Sequence, residues 1–354
     1  MKHLHVFPND ENQKFSIPFV KLIEKYFDAS KHQFLMFEHK RKKRGEKINK
    51  FIMIPGDIKG ALYLLKQINK ADKVYFHGLD LRVCSLIVLS LNKGELKKCN
   101  WIIWGGDLYR YKIKTYRSYI LEIFRRRIIK HIGGIITQLY GDYELARKWY
   151  KTNAKYYYSF VYPSNLYKDN SLYQIEEDAT KLTIQIGNSA CETNNHLQIF
   201  EKLKKYKNEN MLIICPLSYS GKDDYTSKVI ETGYEIFGKD KFIPIKEFLS
   251  YEKYMKLLSK VDVAIFNHKR QRGLGNITTL LSFGKKVYIR EEVTTWQFCL
   301  EHDLTVYSAN SNFDNLFEKM DPEVKQKNIA NMKCYFSENK LIEDLTNIFN
   351  EELD

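Results

Sequence analysis

Short apolar runs of four to six residues alternate along this chain with longer segments whose apolar positions recur every three or four residues. Runs rich in Val, Ile, Phe and Tyr and bounded by polar clusters read as buried strands, and the longer segments as helices. In the first half the strands fall at 2–7, 32–37, 50–54, 73–77, 100–104, 134–137 and 155–161, with helices at 16–27, 58–68, 79–91, 112–132 and 141–150. In the second half the strands fall at 182–186, 211–216, 242–245, 261–266, 286–289 and 304–307, with helices at 195–206, 225–237, 251–259, 277–283 and 295–301. Such alternation implies right-handed crossovers and parallel sheets. The polar, turn-rich stretch 163–179 is the clearest linker. The expected layout is an α/β chain with one Rossmann-like domain over 1–165, a linker over 166–180, a second Rossmann-like domain over 181–325 and a helical segment over 326–354.

The densest chemistry lies at 261–296, where an apolar strand leads into a basic glycine loop and then a helix. Glycines let backbone N–H groups approach an anion, a helix N-terminus adds partial positive charge, and an arginine can grip two oxygens at once. Arg270, Gln271, Gly273, Gly275 and Asn276 are the candidate residues of that loop, and Arg290-Glu291 follows the next strand at the same expected sheet edge. Taken alone, the glycine pattern fits a basic turn equally well.

The 354 residues exceed one ordinary core and favour two domains. Hydrophobic content of 44% and aromatic content of 14% exclude a disordered chain. A net charge of +14 points to an anionic partner, whether nucleic acid, a membrane surface or a phosphorylated ligand. The six cysteines form no C-x-x-C pair, which argues against a zinc site or a disulfide scaffold and for a reducing compartment. No secretory h-region opens the chain, and the longest apolar stretch, 83–91, has half the length that spans a bilayer. Any membrane contact is therefore expected to be peripheral. Two stretches suit it: the cation block at 39–47, and the segment 112–132, where Ile113, Tyr116, Ile120, Ile123, Phe124, Ile128 and Ile132 recur near helical spacing beside Arg125, Arg126, Arg127 and Lys130. The same apolar face could equally pack on its own domain.

Polar residues just after strand ends face the ligand crevice of an open α/β sheet, and His77 and Asp107 hold such positions. A buried structural histidine and a helix N-cap are the plain alternatives for the two. Two α/β domains with an anion-binding edge on the second suggest a cleft with a nucleotide on one wall and an acceptor on the other, the logic of a GT-B glycosyltransferase.

His77-Gly78, Trp104-Gly105-x-Asp107-Leu108-Tyr109, Gly187-Asn188-Ser189, Asn195-His196, Arg270-Gln271-x-Gly273-x-Gly275, Arg290-Glu291 and Trp296-Gln297 occur in an order that resembles the TDP-N-acetylfucosamine:lipid II N-acetylfucosaminyltransferase family, which makes enterobacterial common antigen. The resemblance runs from residue 77 to about 307, and the first 70 residues match only in style. It implies a GT-B enzyme, without metal or cofactor, that moves a fucosamine-like 6-deoxy sugar from a TDP-sugar to an undecaprenyl-diphosphate-linked glycan. Such an enzyme would sit peripherally at the cytoplasmic face of the bacterial inner membrane. The chain departs from the family near the donor site, at Pro216 to Ser220, at Asn276 and at Glu291-Glu292-Val293, and these changes bear on the donor sugar.

A departing nucleoside diphosphate gains negative charge, so the donor wall must supply fixed positive potential. Arg270 and the N–H groups around Gly273 to Asn276 are expected to do so, helped by Asn188 and Ser189; Glu247 and Glu291 are placed to accept from sugar hydroxyls, and Tyr219 to face the base. Asp107 is the candidate general base and His77 the second. The adjacent pair Asp223-Asp224 reads as a helix start rather than a metal site. Two other readings remain: a GT-B enzyme using a UDP or GDP donor for O-antigen or capsule, and a basic nucleic-acid-binding protein. The second is disfavoured because no zinc finger or RNP-like motif is present.

Overall fold

All five residues of β1 (His3–Phe7) and of β4 (Lys73–His77) are buried, which requires cover on both faces of their sheet. The computed structural model, which describes residues 1–8, 10, 14–38, 50–113, 115–173 and 180–351, supplies that cover with helices. The cation block expected at 39–47 lies outside the described residues.

The chain divides into two compact units, 1–166 with 338–354, and 167–337. In the first, β1, β2 (His32–Phe37), β3 (Phe51–Ile54), β4, β5 (Cys99–Ile102), β6 (Gly134–Ile136) and β7 (Lys155–Tyr157) form one parallel sheet in the order β3-β2-β1-β4-β5-β6-β7. Its helices are α1 (Ser16–Tyr26), α2 (Ile58–Lys70), α3 (Val83–Leu91), α4 (Tyr116–His131) and α5 (Tyr140–Tyr150). The core gathers Val6, Leu35, Phe76 and Trp101 from the strands and Leu64, Leu86, Ile128 and Ile129 from the helices.

The second unit repeats the plan with β8 (Leu182–Ile186), β9 (Met211–Pro216), β10 (Phe242–Ile245), β11 (Val263–Phe266), β12 (Lys286–Ile289) and the two-residue β13 (Tyr307–Ser308), in the order β10-β9-β8-β11-β12-β13. Its helices are α6 (His196–Leu203), α7 (Asp223–Phe237), α8 (Tyr251–Ser259), α9 (Leu274–Ser282), α10 (Thr294–Glu301) and α11 (Pro322–Tyr335). Asp223 and Asp224 occupy the first turn of α7, where carboxylates meet the positive end of the helix dipole.

Three differences from the sequence pattern have physical causes. The apolar stretch expected to be helical from 79 becomes helix only at Val83, because the backbone is still extended at Arg82 (φ −66°, ψ 150°), after the Asp107 carboxylate has tied down the Leu79 N–H at 3.0 Å. The strand expected over 155–161 stops at Tyr157, and Val161 turns into a left-handed conformation at φ 58°. The terminal segment over 326–354 is two helices that serve different units. α11 stays with the second, whereas α12 (Glu338–Asn350) packs Phe349 against His3, His32 and Tyr75 of the first sheet at ring distances of 4.9 to 5.4 Å, and the Lys73 ammonium donates to the Ile348 carbonyl at 2.9 Å.

α4 divides its apolar residues between two faces. Ile128, Ile129 and Ile132 are buried and Phe124 packs on the core, while Ile113 before the helix and Tyr116, Tyr119, Ile120 and Ile123 on it are exposed by 41 to 85%. Among the described residues no helix is long and apolar enough to cross a membrane.

Candidate functional site

β8 and β11 are neighbours in the second sheet, yet the chain leaves them on opposite sides, β8 toward β9 and β10, β11 toward β12 and β13. At such a switch no crossover covers the carboxyl ends of the two strands, and a crevice for ligand opens there. Glycine shapes both lips. Gly187, after β8, has φ 68°, and a Cβ on it would stand 2.6 Å from Asn194 Oδ1. Gly273, which opens α9 after β11, has φ 72°, and a Cβ on it would stand 3.3 Å from the Asn188 side chain and from His268. A side chain on Gly187 would strain the β8 loop against its own Asn194 and His196, and one on Gly273 would press the β11 loop away from Asn188.

Between the lips runs a continuous polar network. Asn194 Oδ1 accepts from the Asn188 N–H at 3.0 Å, and its amide nitrogen donates to Ser189 Oγ at 3.1 Å and the Cys191 carbonyl at 3.0 Å. His268 Nε2 lies 2.7 Å from the same Asn194 oxygen, which ties the β11 loop to the β8 loop. Burial and then the nearby Arg272 charge lower the His268 pKa to about 3, so it is neutral at pH 7. The Asn188 amide nitrogen donates to the Tyr219 hydroxyl at 2.8 Å, and its own Oδ1 is buried with no hydrogen-bond partner. Burial raises the Tyr219 pKa.

Arg272 supplies the charge. Its guanidinium donates to Ser189 Oγ and Thr193 Oγ1, each at 3.2 Å, and among the described residues no carboxylate pairs with it. Hydroxyls satisfy its geometry without neutralising it, so the crevice carries a fixed positive charge beside the α9 N-terminus. The cations expected from the sequence are engaged differently. Arg270 donates to the Gln271 carbonyl at 3.2 Å, and Gln271 is buried. Arg290 donates to Asn267 Oδ1 at 3.1 Å at the end of β11 and pairs with Glu292 rather than Glu291; the Asn310 amide and Arg290 together bring the Glu292 carboxyl down to about 2.

The structure thus brings Asn188, Ser189, Tyr219, Gly273, Gly275 and Asn276 to one switch point, with Asn276 Oδ1 accepting from the hydroxyl of half-buried Tyr254. Glu247 stands exposed beyond the edge strand β10, and Glu291 exposed in the turn after β12. Neither belongs to the network. Sequence reasoning missed Arg272, Asn194, His268 and Tyr254. A loop has no period, so nothing in Arg-Gln-Arg says which arginine points inward, and Tyr254 sits on α8 far from any motif.

In the first unit the two catalytic candidates require correction. The Asp107 carboxylate is buried and accepts four donors: Leu79 N–H and Trp101 Nε1 on one oxygen at 3.0 and 2.7 Å, Trp104 N–H and Leu108 N–H on the other at 3.0 Å each. Its lone pairs are spent on holding two loops, the position of a structural anchor and at odds with the expected general base. His77 is fully buried, its Nδ1 2.7 Å from the Tyr162 hydroxyl and its Nε2 3.2 Å from His5 Nδ1. Burial depresses its pKa well below the usual value, and neither ring nitrogen is open to a substrate. Arg125, expected at a membrane surface, also requires correction. It is buried on the inner face of α4, where Nε donates to Glu122 at 3.1 Å, Nη2 to the Asp107 carbonyl at 2.7 Å and Nη1 to the Leu79 carbonyl. Arg126, Arg127 and Lys130 are exposed.

Solved structures of similar architecture cover nearly the whole chain at low identity, and so speak to fold alone. The Anabaena Alr3699/HepE protein in complex with UDP and glucose matches with a TM-score of 0.69 at 8% identity, covering 99% of each chain. WaaG, a glycosyltransferase of lipopolysaccharide biosynthesis, matches at 0.63 and 12%, covering 99% of this chain and 100% of its own. Sucrose-phosphate synthase from Thermosynechococcus elongatus matches at 0.71 and 8%, covering 99% and 98%. These likenesses show the GT-B fold. Residues 20–339 match the family described as 4-alpha-L-fucosyltransferase glycosyl transferase group 56. That span is most of the chain, which therefore belongs to this family and is a glycosyltransferase.

Proposed function

We propose that the enzyme uses a nucleotide diphosphate sugar whose diphosphate binds at the β8–β11 switch, and that the donor is a TDP-linked, fucosamine-like 6-deoxy sugar. The observation that carries the diphosphate assignment is Arg272, held by the hydroxyls of Ser189 and Thr193 with no described carboxylate opposite it. As the glycosidic bond breaks, charge gathers on the departing diphosphate, and a cation already oriented in a crevice meets it without reorganisation. The first-turn N–H groups of α9 add partial positive charge from the same side. Buried Asn188 Oδ1 is the acceptor that a ribose or sugar hydroxyl would satisfy.

For the acceptor we propose a lipid-linked glycan of the undecaprenyl-diphosphate class, used in bacterial surface polysaccharide synthesis at the cytoplasmic face of the inner membrane. The outward row of Tyr116, Tyr119, Ile120 and Ile123 on α4, followed by the exposed Arg126, Arg127 and Lys130, supports a peripheral membrane contact. A second reading, a UDP donor, is favoured by the UDP held in the HepE structures.

Thermal stabilisation by dTDP, UDP, GDP and CDP separates the two. Nucleotide at about 100 times its dissociation constant adds roughly 2.7 kcal/mol to stability. Selective stabilisation by dTDP that disappears in Arg272→Ala supports the TDP reading; selective stabilisation by UDP replaces it with the second. No response to any of the four removes the switch-point assignment.

A further inference from the structure

The first unit carries a cationic cavity away from the edge where His77, Trp104 and Asp107 lie. It has a volume of about 320 Å³ and is lined by Lys93, Arg126, Arg127, Lys130, His131, Trp149, Tyr150 and Lys151. These residues follow the end of α3, fill the last turns of α4 and α5, and cap α5, so they sit where β5, β6 and β7 begin rather than where those strands end. One or two cations at a helix C-terminus are the ordinary complement of its dipole. Here five Lys and Arg side chains converge with no carboxylate in the lining.

The carboxylates nearby are already committed. Glu122 pairs with Arg125 at 3.1 Å and with Arg126 at 3.8 Å, and Glu95 pairs with Lys98 at 2.7 Å. Arg126 also lies 4.4 Å from the Tyr111 ring, which stacks on Trp149 at 5.2 Å. Among the described residues no ion pair engages Lys93, Arg127, Lys130 or Lys151. His131 Nδ1 bonds the Arg127 carbonyl at 2.8 Å, within the helix. Such a concentration of unneutralised cations attracts an anion, and a mixed Lys and Arg set with a half-buried tryptophan suits a phosphate that arrives with apolar matter attached.

The exposed face of α4 shows what that matter is. Tyr116, Tyr119, Ile120 and Ile123 lead along one side of the helix into Arg126, Arg127 and Lys130, so the apolar row runs directly into the cavity. We infer that this cavity is a headgroup site for an anionic phospholipid, with the lipid phosphate among Lys93, Arg127, Lys130 and Lys151 and the upstream apolar row at the acyl boundary. The inference rests on the peripheral-membrane reading above and gives it a specific ligand and place.

The test is co-sedimentation of the full chain with vesicles of phosphatidylcholine alone or mixed equally with phosphatidylglycerol. Wild type is expected to prefer the mixed vesicles, and the double variant R127A/K130A to bind them about thirty-fold more weakly and to lose the preference. A control that removes two exposed cations from α2, K66A/K70A, should keep most of the affinity, and Y116S/Y119S should weaken binding while the preference survives. All substituted side chains are exposed, so the melting temperatures should match wild type. Equal loss in R127A/K130A and K66A/K70A overturns the cavity while leaving the membrane reading intact, and so does full binding by R127A/K130A. Inorganic diphosphate that binds wild type calorimetrically and is lost in R127A/K130A, while that variant keeps the vesicle affinity of wild type, would assign the cavity to a soluble phosphate and overturn the lipid. If wild type binds neither vesicle, the membrane reading and the headgroup site fall together, while the nucleotide response of the second unit is untouched.

Discussion

The Tyr162 hydroxyl donates to His77 Nδ1 across 2.7 Å, and this bond sets the polarity of a buried row of histidines. Trp104 Nε1 lies 2.8 Å from the same hydroxyl oxygen, and an indole can only donate. A buried hydroxyl must also place its own proton, and among the described residues His77 Nδ1 is the acceptor within its reach, so the tyrosine proton points at His77. His77 Nε2 then carries the proton toward His5 Nδ1 at 3.2 Å, and His5 Nε2 carries one toward His32 Nδ1 at 3.0 Å. Every ring in the row is neutral, and a proton added to His5 or His77 would set two donors face to face.

Acid should therefore unfold this protein early. Burial lowers His3 to about 3 and His32 to about 4, and holds His5 and His77 well below the ordinary 6.5. In the second unit burial likewise lowers His196 to about 4 and His268 to about 3. Between those values and 6.5 the unfolded chain binds more protons than the folded one. The contribution to stability is complete above about 6.5 and falls as pH drops, by about 1.4 kcal/mol per pH unit for each such histidine. Denaturant midpoints measured at pH 7.5 and pH 5 should differ strongly, the lower pH being less stable. A flat profile would remove the neutral-row account.

Asp107→Asn should damage stability rather than chemistry. The new amide nitrogen would face two of the four donors that now converge on the carboxylate, at a cost of about 1–3 kcal/mol or more for a charged acceptor. Activity per folded molecule should stay within a few-fold of wild type, whereas loss of a general base typically costs about 10²–10⁴-fold. Rate and melting temperature measured on the same preparation decide between anchor and base.

Arg125→Ala should be among the most destabilising single changes in α4. It leaves Glu122 buried beside the exposed Arg126 alone and frees the Leu79 and Asp107 carbonyls. Breaking a buried pair from one side costs about 3–5 kcal/mol. Urea unfolding of Arg125→Ala beside Arg127→Ala, whose side chain is exposed, should separate the two roles that adjacent arginines hide in the sequence.

The strands of these two units were legible as continuous apolar runs, and the helices by their 3.6 period, because both sheets are parallel and their central strands are buried on both faces. β2, β4, β8, β9, β10 and β12, and the helix α8, begin and end where the apolar runs do. The glycine loop at 273 was equally legible, since only a tight strand-to-helix turn needs that residue there. What could not be read was direction. On α4, Arg125 and Arg127 are two residues apart and face opposite ways, because the helix turns about 200° between them. Asp107 looked catalytic because it follows a strand end, yet the tryptophans at 101 and 104 that consume it come together only in the folded sheet. α12 reads as a tail, and its attachment to the first unit depends on Phe349 meeting histidines more than 300 residues earlier.

The same ambiguity of direction governs the loop Arg270-Gln271-Arg272-Gly273, and here it can be resolved by experiment. Arg272→Ala removes the guanidinium that reaches Ser189 and Thr193, and should abolish nucleotide-dependent stabilisation while the apo melting temperature moves little. Losing one partner of a desolvated charge pair is typically worth about 2–5 kcal/mol of affinity, so nucleotide binding should weaken at least thirty-fold. Arg270→Ala should weaken it less, because that side chain bonds its own neighbour's carbonyl. Gly273→Ala tests the geometry without touching charge: a residue other than glycine at φ 72° costs roughly 1–2 kcal/mol, and its Cβ would press on Asn188 and His268 at 3.3 Å. It should therefore lower both stability and nucleotide affinity. Full nucleotide affinity in both Arg272→Ala and Gly273→Ala would place the diphosphate elsewhere in the chain.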